Sequence, residues 1–306
     1  MPGYRRSMTN PATVTAAARA ESADTEQIRH RPARIAVQIA PQHTDYPSIR
    51  RSCAQLEELG VDVLLNWDHF FPLAGDPAGA HFECWTVLAA WAEATERIEI
   101  GPLVSCNAYR NPQLLADMAR TVDHISGGRL ILGIGSGWAE RDFLEYGYPF
   151  GTDGSRLDAL SRDLPTIERR WASLNPPPVR PIPVLIGGGG ERKTLRLVAR
   201  HATIWHGYGD PATIAGKHRV LDQRCAEIGR DPQEIERSAG VAFRPGREIE
   251  RVADYAANAQ QLYDVGSRLI TTGLQLPPYD FGKVRDLLSW RDQVNSEGQP
   301  SPTCSA

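Results

Sequence analysis

The chain has no apolar run approaching the roughly 18 residues that a membrane span needs. Residues 1–32 lack the continuous apolar stretch of a secretory signal. An excess of charge of either sign is also lacking, with 34 Lys and Arg against 37 Asp and Glu. The net charge is −3 over 306 residues, which offers no basic face to nucleic acid and no attraction to an anionic membrane. Cysteine is sparse. Cys53, Cys84, Cys106, Cys225 and Cys304 are odd in number, scattered and without a Cys-x-x-Cys pair. That argues against a disulfide framework and for a reduced, cytoplasmic setting. No His-x-His follows the first apolar strand, so a metal-dependent hydrolase barrel would lack its main ligand pair, and no metal is expected.

What is present is a regular alternation. Hydrophobic residues make up 41% of the chain, enough for a large core. Short apolar runs at 34–39, 63–66, 99–104, 129–134, 183–186, 202–205, 238–243 and 268–272 read as strands. Helical patterns follow them at 46–59, 82–94, 112–125, 156–171, 192–201, 212–228, 249–265 and 281–294. Pro112 stands at a helix start, where its missing N–H costs nothing. Eight strand–helix units in strict order argue for an α/β fold, a parallel sheet closed into a (β/α)8 TIM barrel of one domain over 33–295. An open doubly wound sheet is the alternative. Residues 1–32 read as a disordered N-terminal tail outside the fold and 296–306 as a flexible C-terminal tail.

In such a barrel the chemistry sits on the loops after the strands. After the second strand comes Asn66-Trp67-Asp68-His69-Phe70. A carboxylate beside an imidazole can position or move a proton near neutral pH; a purely structural pair is the alternative. After the third strand, Val104, Ser105, Cys106 and Asn111 offer small polar groups to a heteroaromatic ring, with Asn111 also suited to cap a helix. Cys106 has no evident base beside it in sequence and is not expected to be a nucleophile. The run Ser126–Trp138 places Gly133, Gly135 and Gly137 alternately with Ile134, Ser136 and Trp138. One bare side of the backbone suits a flat ligand, a neighbouring backbone or a tight barrel-rim turn.

After the fifth strand, Gly187-Gly188-Gly189-Gly190 leads into a helix. Its backbone N–H groups form an anion site, most naturally for phosphate, with Arg192 and Lys193 adding charge. The spacing is not that of a P-loop. Trp67, Trp138 and Trp205 at three strand ends would wall an apolar substrate pocket, although rim packing explains each singly. His206 reads as a satisfied core histidine.

Several pieces in order resemble the luciferase-like oxidoreductases, specifically the branch that uses the deazaflavin coenzyme F420. They are Leu56–Asp62, Asp68-His69-Phe70, Ala94–Gly101, Arg110-Asn111-Pro112 and Ser126–Trp138, with Gly187–Gly190 and the run 202–205 similar to later segments. The resemblance spans most of residues 34–272. It implies a barrel holding the deazaflavin at the strands' C-terminal rim. Asp68 and the loop of Val104, Ser105, Cys106 and Asn111 would lie against the rings, with a cis peptide near Val104–Ser105. Gly135, Ser136 and Gly137 would line the channel, and Gly188, Gly189, Gly190 and Lys193 would hold the phosphate. His69, held by Asp68, would be the titratable group nearest the reacting carbon. The family's sugar-phosphate dehydrogenases carry a glutamate where this chain has Trp138, and no lysine cluster is evident, which argues against a sugar-phosphate substrate.

The function so implied is hydride transfer between F420 and a small organic substrate. The alternatives are an FMN-dependent luciferase-like monooxygenase and a non-catalytic F420-binding protein. A small-molecule substrate is the expected partner, with no nucleic acid and no membrane; a homodimer is open.

Overall fold

The computed structural model describes residues 31–241 and 254–297. The expected tail over 1–30, residues 298–306 with Cys304, residues 242–243 of the seventh strand and 249–253 of its helix lie outside the described residues.

Strands β1 (Arg34–Ile39), β2 (Val63–Asn66), β3 (Glu99–Pro102), β4 (Ser105–Cys106), β5 (Leu132–Gly135), β6 (Val184–Gly187), β7 (Ile204–Gly207), β8 (Glu236–Gly240) and β9 (Leu269–Leu274) form one sheet. Its order is β3-β2-β1-β9-β8-β7-β6-β5-β4, and the paired strands run parallel. Around it lie α1 (Tyr46–Leu59), α2 (Cys84–Ala94), α3 (Pro112–Ile125), α4 (Glu140–Glu145), α5 (Asp153–Ser173), α6 (Thr194–His201), α7 (Pro211–Ala226), α8 (Tyr255–Asp264) and α9 (Gly282–Glu297). Caps set several helix starts: Asp45, Asn111 and Asp210 accept from Ser48, Gln113 and Thr213 backbone N–H groups.

The strand period of two sorts side chains to two cores. Ile35, Val37 and Ile39 of β1 face the helices, within the larger apolar layer. Ala36 joins Val63, Leu65, Ile131, Leu185, Ile204 and Leu269 inside the barrel. The two ends of the sheet are β3, within the strand expected over 99–104, and β4, which falls in the loop expected over 105–111. Backbone bonds from Ile131 N to Ile100 O (2.8 Å) and from Ile100 N to Arg129 O (3.0 Å) draw the ring nearly shut. The eightfold alternation therefore holds, with its third strand broken in two.

The break is a bulge. The Leu103–Val104 peptide is cis, one bond before the position that the resemblance suggests. Gln38 Nε2 donates to Leu103 O (2.8 Å) and Asn66 O (3.2 Å), fastening the bulge from inside the barrel. Gly133 answers it: a Cβ there would lie 1.8 Å from Pro102 O. The first of the alternating glycines thus serves close backbone approach.

Two boundaries differ from expectation. The loop expected over 135–153 contains α4, a helix too short to show a periodic apolar face, though Glu140 and Asp142 in its first turn suit a helix N-terminus. At the other end α9 continues to Glu297, into the expected tail. Asn295 exchanges two hydrogen bonds with the Ala33 backbone, 2.7 and 3.0 Å, tying the last helix to the entry of β1.

Candidate active site

A cavity of about 240 Å³ opens at the C-terminal mouth of the barrel. Trp67, Asp68 and His69 enter it from the end of β2, and Val104, Cys106 and Tyr109 from the bulge and the turn after it. Gly135, Ser136, Gly137 and Trp138 follow β5, Gly187 and Gly188 close β6, and His206 and Tyr208 close β7. The Asp68–His69 corner and the first two glycines of the run at 187–190 therefore share one cavity.

Asp68 is 2% exposed and fully engaged. Its Oδ2 accepts from Arg110 Nη1 (2.6 Å), Ser105 Oγ (2.9 Å) and Cys106 N (3.0 Å), and its Oδ1 from Arg110 Nη2 (3.0 Å). Burial works against the Arg110 charge, but the Asp68 carboxylate outweighs it and the guanidinium pKa is raised. Asp68 thus braces β4 and does not hold His69, contrary to expectation.

The partner of His69 is Asp142, on α4. His69 Nδ1 lies 2.6 Å from Asp142 Oδ2. An ionised carboxylate only accepts, so Nδ1 carries the proton and Nε2 is the other, free nitrogen. Asp142 is 2% exposed and also accepts from Tyr109 Oη (3.2 Å) and Phe70 N (3.3 Å). Sequence reading missed Asp142 because it stands 73 residues from His69. An acidic residue opening a short helix after a strand-end Gly-Trp was the one signal available.

Trp67 Nε1 donates to His81 Nε2 (3.1 Å). Burial first, then the neighbouring His69, pulls the His81 pKa down to about 4, so it stays a neutral acceptor. Trp138 is 56% exposed and meets the His69 ring edge-on, centroids 5.4 Å apart. It stands at the entrance, half in water.

Other expected site residues are placed elsewhere. Ser105 does not line the cavity; its hydroxyl lies between Asp68 and Trp85 Nε1 (3.0 Å). Asn111 only caps α3. Trp205 faces outward into the layer under the helices and donates to Gly188 O (2.8 Å), so it walls no pocket. Its neighbour His206 points the other way, as alternation along a strand requires. His206 is fully buried and shares a hydrogen bond with Ser238 Oγ (2.8 Å), while Nε2 has no partner. Burial drives its pKa down to about 3. It is thus a neutral, half-satisfied imidazole in the cavity, not the satisfied core residue expected.

Gly189, Gly190 and Lys193 lie beyond the lining, on the way from Gly188 to α6. A Cβ at Gly190 would be 2.7 Å from Thr194 Oγ1. Lys193 Nζ pairs with Asp158 (2.6 Å). The first turn of α6 has no side-chain cap; its Leu195, Arg196 and Leu197 N–H groups donate instead to the Gly190 and Lys193 carbonyls. Cys106 lines the cavity, but burial pushes its thiol up to about 12, away from nucleophile chemistry.

The profile of the luciferase-like monooxygenase family matches residues 25–296. This chain belongs to that family. As a member it is an oxidoreductase. Among curated relatives, an F420-dependent glucose-6-phosphate dehydrogenase of Amycolatopsis mediterranei is 31% identical over 165 residues, 48% of this chain and 47% of that protein. The chain thus spans about half the length of that relative. Among solved structures, an F420-dependent secondary alcohol dehydrogenase in complex with an F420-acetone adduct aligns with a TM-score of 0.75. It is 16% identical, over 87% of this chain and 99% of that one. EDTA monooxygenase from Chelativorans sp. BNC1 aligns at 0.68 and 12% identity, over 88% and 95%. These likenesses carry the barrel fold of the family. Among the described residues no helix is long and apolar enough to cross a membrane.

Proposed function

We propose that this family member transfers hydride between coenzyme F420 and a small organic substrate. The carrying observation is the cavity itself, in which a part-buried His–Asp pair, a non-proline bulge and a glycine-lined rim meet at one barrel mouth. The F420 enzymes among its relatives and structural neighbours support the same reading.

The lining fits a flat ring system. Val104 projects from the bulge toward Gly135 and Gly187, where a Cβ would lie 2.8 and 3.1 Å from its methyl groups. The glycines leave that space to Val104 and to whatever lies on it. His206 Nε2, buried without a partner, is the polar atom a ring heteroatom or carbonyl would satisfy. The enclosed volume is slightly under the roughly 300 Å³ at which ligand pockets begin. A ring head would fill it and the tail would leave along Gly188–Gly190 toward the positive end of α6, which favours a phosphate. Lys193 stands at the outer end of that path.

F420, when bound, supplies a ring carbon that gives or takes hydride. The chain's own groups orient and move the proton. His69 Nε2 is the donor or acceptor toward the substrate, and Asp142 fixes its tautomer from behind. Trp67, buried, and Trp138, at the entrance, flank that imidazole. Asp68, through Arg110 and Cys106 N, keeps the bulge in place as the floor.

Titration with F420 and with FMN, read by tryptophan quenching, tests the proposal. F420 should quench saturably through Trp67 and Trp138, and FMN should bind at least about tenfold more weakly, a 1.4 kcal/mol preference. Tighter FMN binding would transfer the reading to a flavin monooxygenase. F420 binding without turnover across a panel of alcohols, aldehydes and ketones would favour a carrier.

A further inference from the structure

A second cavity, also of about 240 Å³, lies at the opposite end of the barrel. It sits between α7, the entry of β8 and the turn from α8 into β9. The register places it: Glu236 and Arg237 pair with Ile204 and Trp205 at the start of β7, whereas His206 and the first cavity belong to the strand ends.

The lining is unusually rich in guanidinium. Arg31, Arg219, Arg237 and Arg268 face two carboxylates, Asp222 and Glu236. Both carboxylates are already committed, Asp222 to Arg237 (2.8 Å) and Glu236 to Arg34 (3.1 Å) from outside the cavity. Arg237 and Arg268 are brought together by the backbone bond from Arg268 N to Arg237 O (2.8 Å). The Arg268 guanidinium is held by the Tyr263 and Ser267 carbonyls and lies over the Tyr263 ring. Arg237 is only 9% exposed, yet its Nη1 has no hydrogen-bond partner. Arg219, on the exposed flank of α7, forms no ion pair among the described residues.

His218 completes the lining. Its Nδ1 lies 2.8 Å from Val265 O, so Nδ1 donates to that carbonyl. The remaining nitrogen, Nε2, is buried without a partner and in the neutral ring is an acceptor. Burial, with Arg237 and Arg268 nearby, pulls the His218 pKa down to about 4 and keeps the ring neutral. The site therefore combines several forked cationic donors with one acceptor.

We propose that this cavity binds a protonated phosphate group, free or as a small phosphomonoester. Its P–O⁻ oxygens accept from the Arg237 and Arg219 guanidiniums. Its P–O–H donates to His218 Nε2. Sulfate has the same tetrahedral shape and the charge of hydrogenphosphate, HPO4²⁻, but no proton at neutral pH, so it satisfies the arginines and leaves His218 unmatched. The site is independent of the barrel-mouth cavity and of what that cavity binds.

The test uses the full chain and inorganic phosphate, followed by calorimetry and by the His218 ring signals in 13C-resolved NMR. Phosphate should bind saturably at millimolar concentration and move the His218 signals. Sulfate at equal ionic strength should bind at least about tenfold more weakly. Arg219→Glu, an exposed change that leaves the core intact, should weaken phosphate at least about tenfold while the circular dichroism stays unchanged. A glucose phosphate added in the same way distinguishes a monoester from the free ion by the lower concentration that saturates His218. The proposal is overturned if phosphate leaves His218 unmoved, if sulfate matches phosphate, or if Arg219→Glu binds as the parent does.

Discussion

Replacing Arg110 by alanine probes how the barrel mouth is held. The substitution removes two charge-assisted bonds to Asp68, at 2.6 and 3.0 Å, and a third to Glu83 at 2.7 Å. The Glu83 bond is half in water, with that carboxylate 40% exposed, and contributes little. The Asp68 bonds are another matter, because that carboxylate is 1% exposed and loses its cation. Ser105 Oγ and Cys106 N remain as donors, so the charge is not wholly stranded. Breaking a buried pair costs about 3–5 kcal/mol; the two surviving donors favour the lower end, about 3 kcal/mol. At roughly 2 °C per kcal/mol for a chain of this size, Tm should fall by about 6 °C. Asp68→Asn should cost less, since Arg110 keeps Glu83. The double variant should then recover part of the Arg110→Ala loss, because no uncompensated carboxylate remains. Guanidinium-chloride unfolding of the four proteins measures the cycle. A loss under about 0.5 kcal/mol for Arg110→Ala, or strict additivity in the double variant, would refute the role given to this pair.

Further outcomes follow from the same geometry. Asp142→Asn should slow turnover by about 10- to 100-fold, the 1.5–3 kcal/mol of a hydrogen bond to a charged group, and shift the His69 ring 15N signals toward a mixed tautomer. Unaltered 15N signals would remove Asp142 as the orienting group. His69→Ala should reduce turnover at least as far, and on the proposed reading F420 affinity should stay within about twofold, since the proposed floor and tail contacts lie elsewhere. Gly133→Ala should be the most damaging single methyl in the barrel, because its Cβ meets the Pro102 carbonyl and not a movable side chain; low soluble yield or a loss above about 3 kcal/mol is expected. Acid should destabilise the fold through buried neutral histidines. His206 titrates near 3 when folded against about 6.5 when unfolded, so the unfolded chain binds the extra proton. Its contribution is intact above pH 6.5 and falls away as pH drops, by about 3 kcal/mol at pH 4. His206→Phe should flatten that part of the stability–pH curve, and a curve unchanged in slope would show that the imidazole is not buried neutral.

The amino-acid sequence by itself determined the architecture. Eight apolar runs alternating with amphipathic helices admit few arrangements, and right-handed strand–helix units of parallel strands close into a barrel. Local order also placed Trp67, Asp68, His69, Val104, Gly135, Ser136, Gly137 and Gly188 at strand ends, which in this fold means one rim. The tertiary structure decided which partner each of them meets. Asp68 and His69 are adjacent in sequence, but adjacent residues near a strand end point to different sides, so Asp68 turns to Arg110 and His69 to Asp142, 73 residues away. The same alternation sends Trp205 outward and His206 inward, a parity that shifts with one residue of register and that no composition reveals. The bulge at Leu103–Val104 and the glycine it demands at 133 come from two strands meeting across the ring. Contacts of that kind are non-local, and only the closed sheet brings them into being.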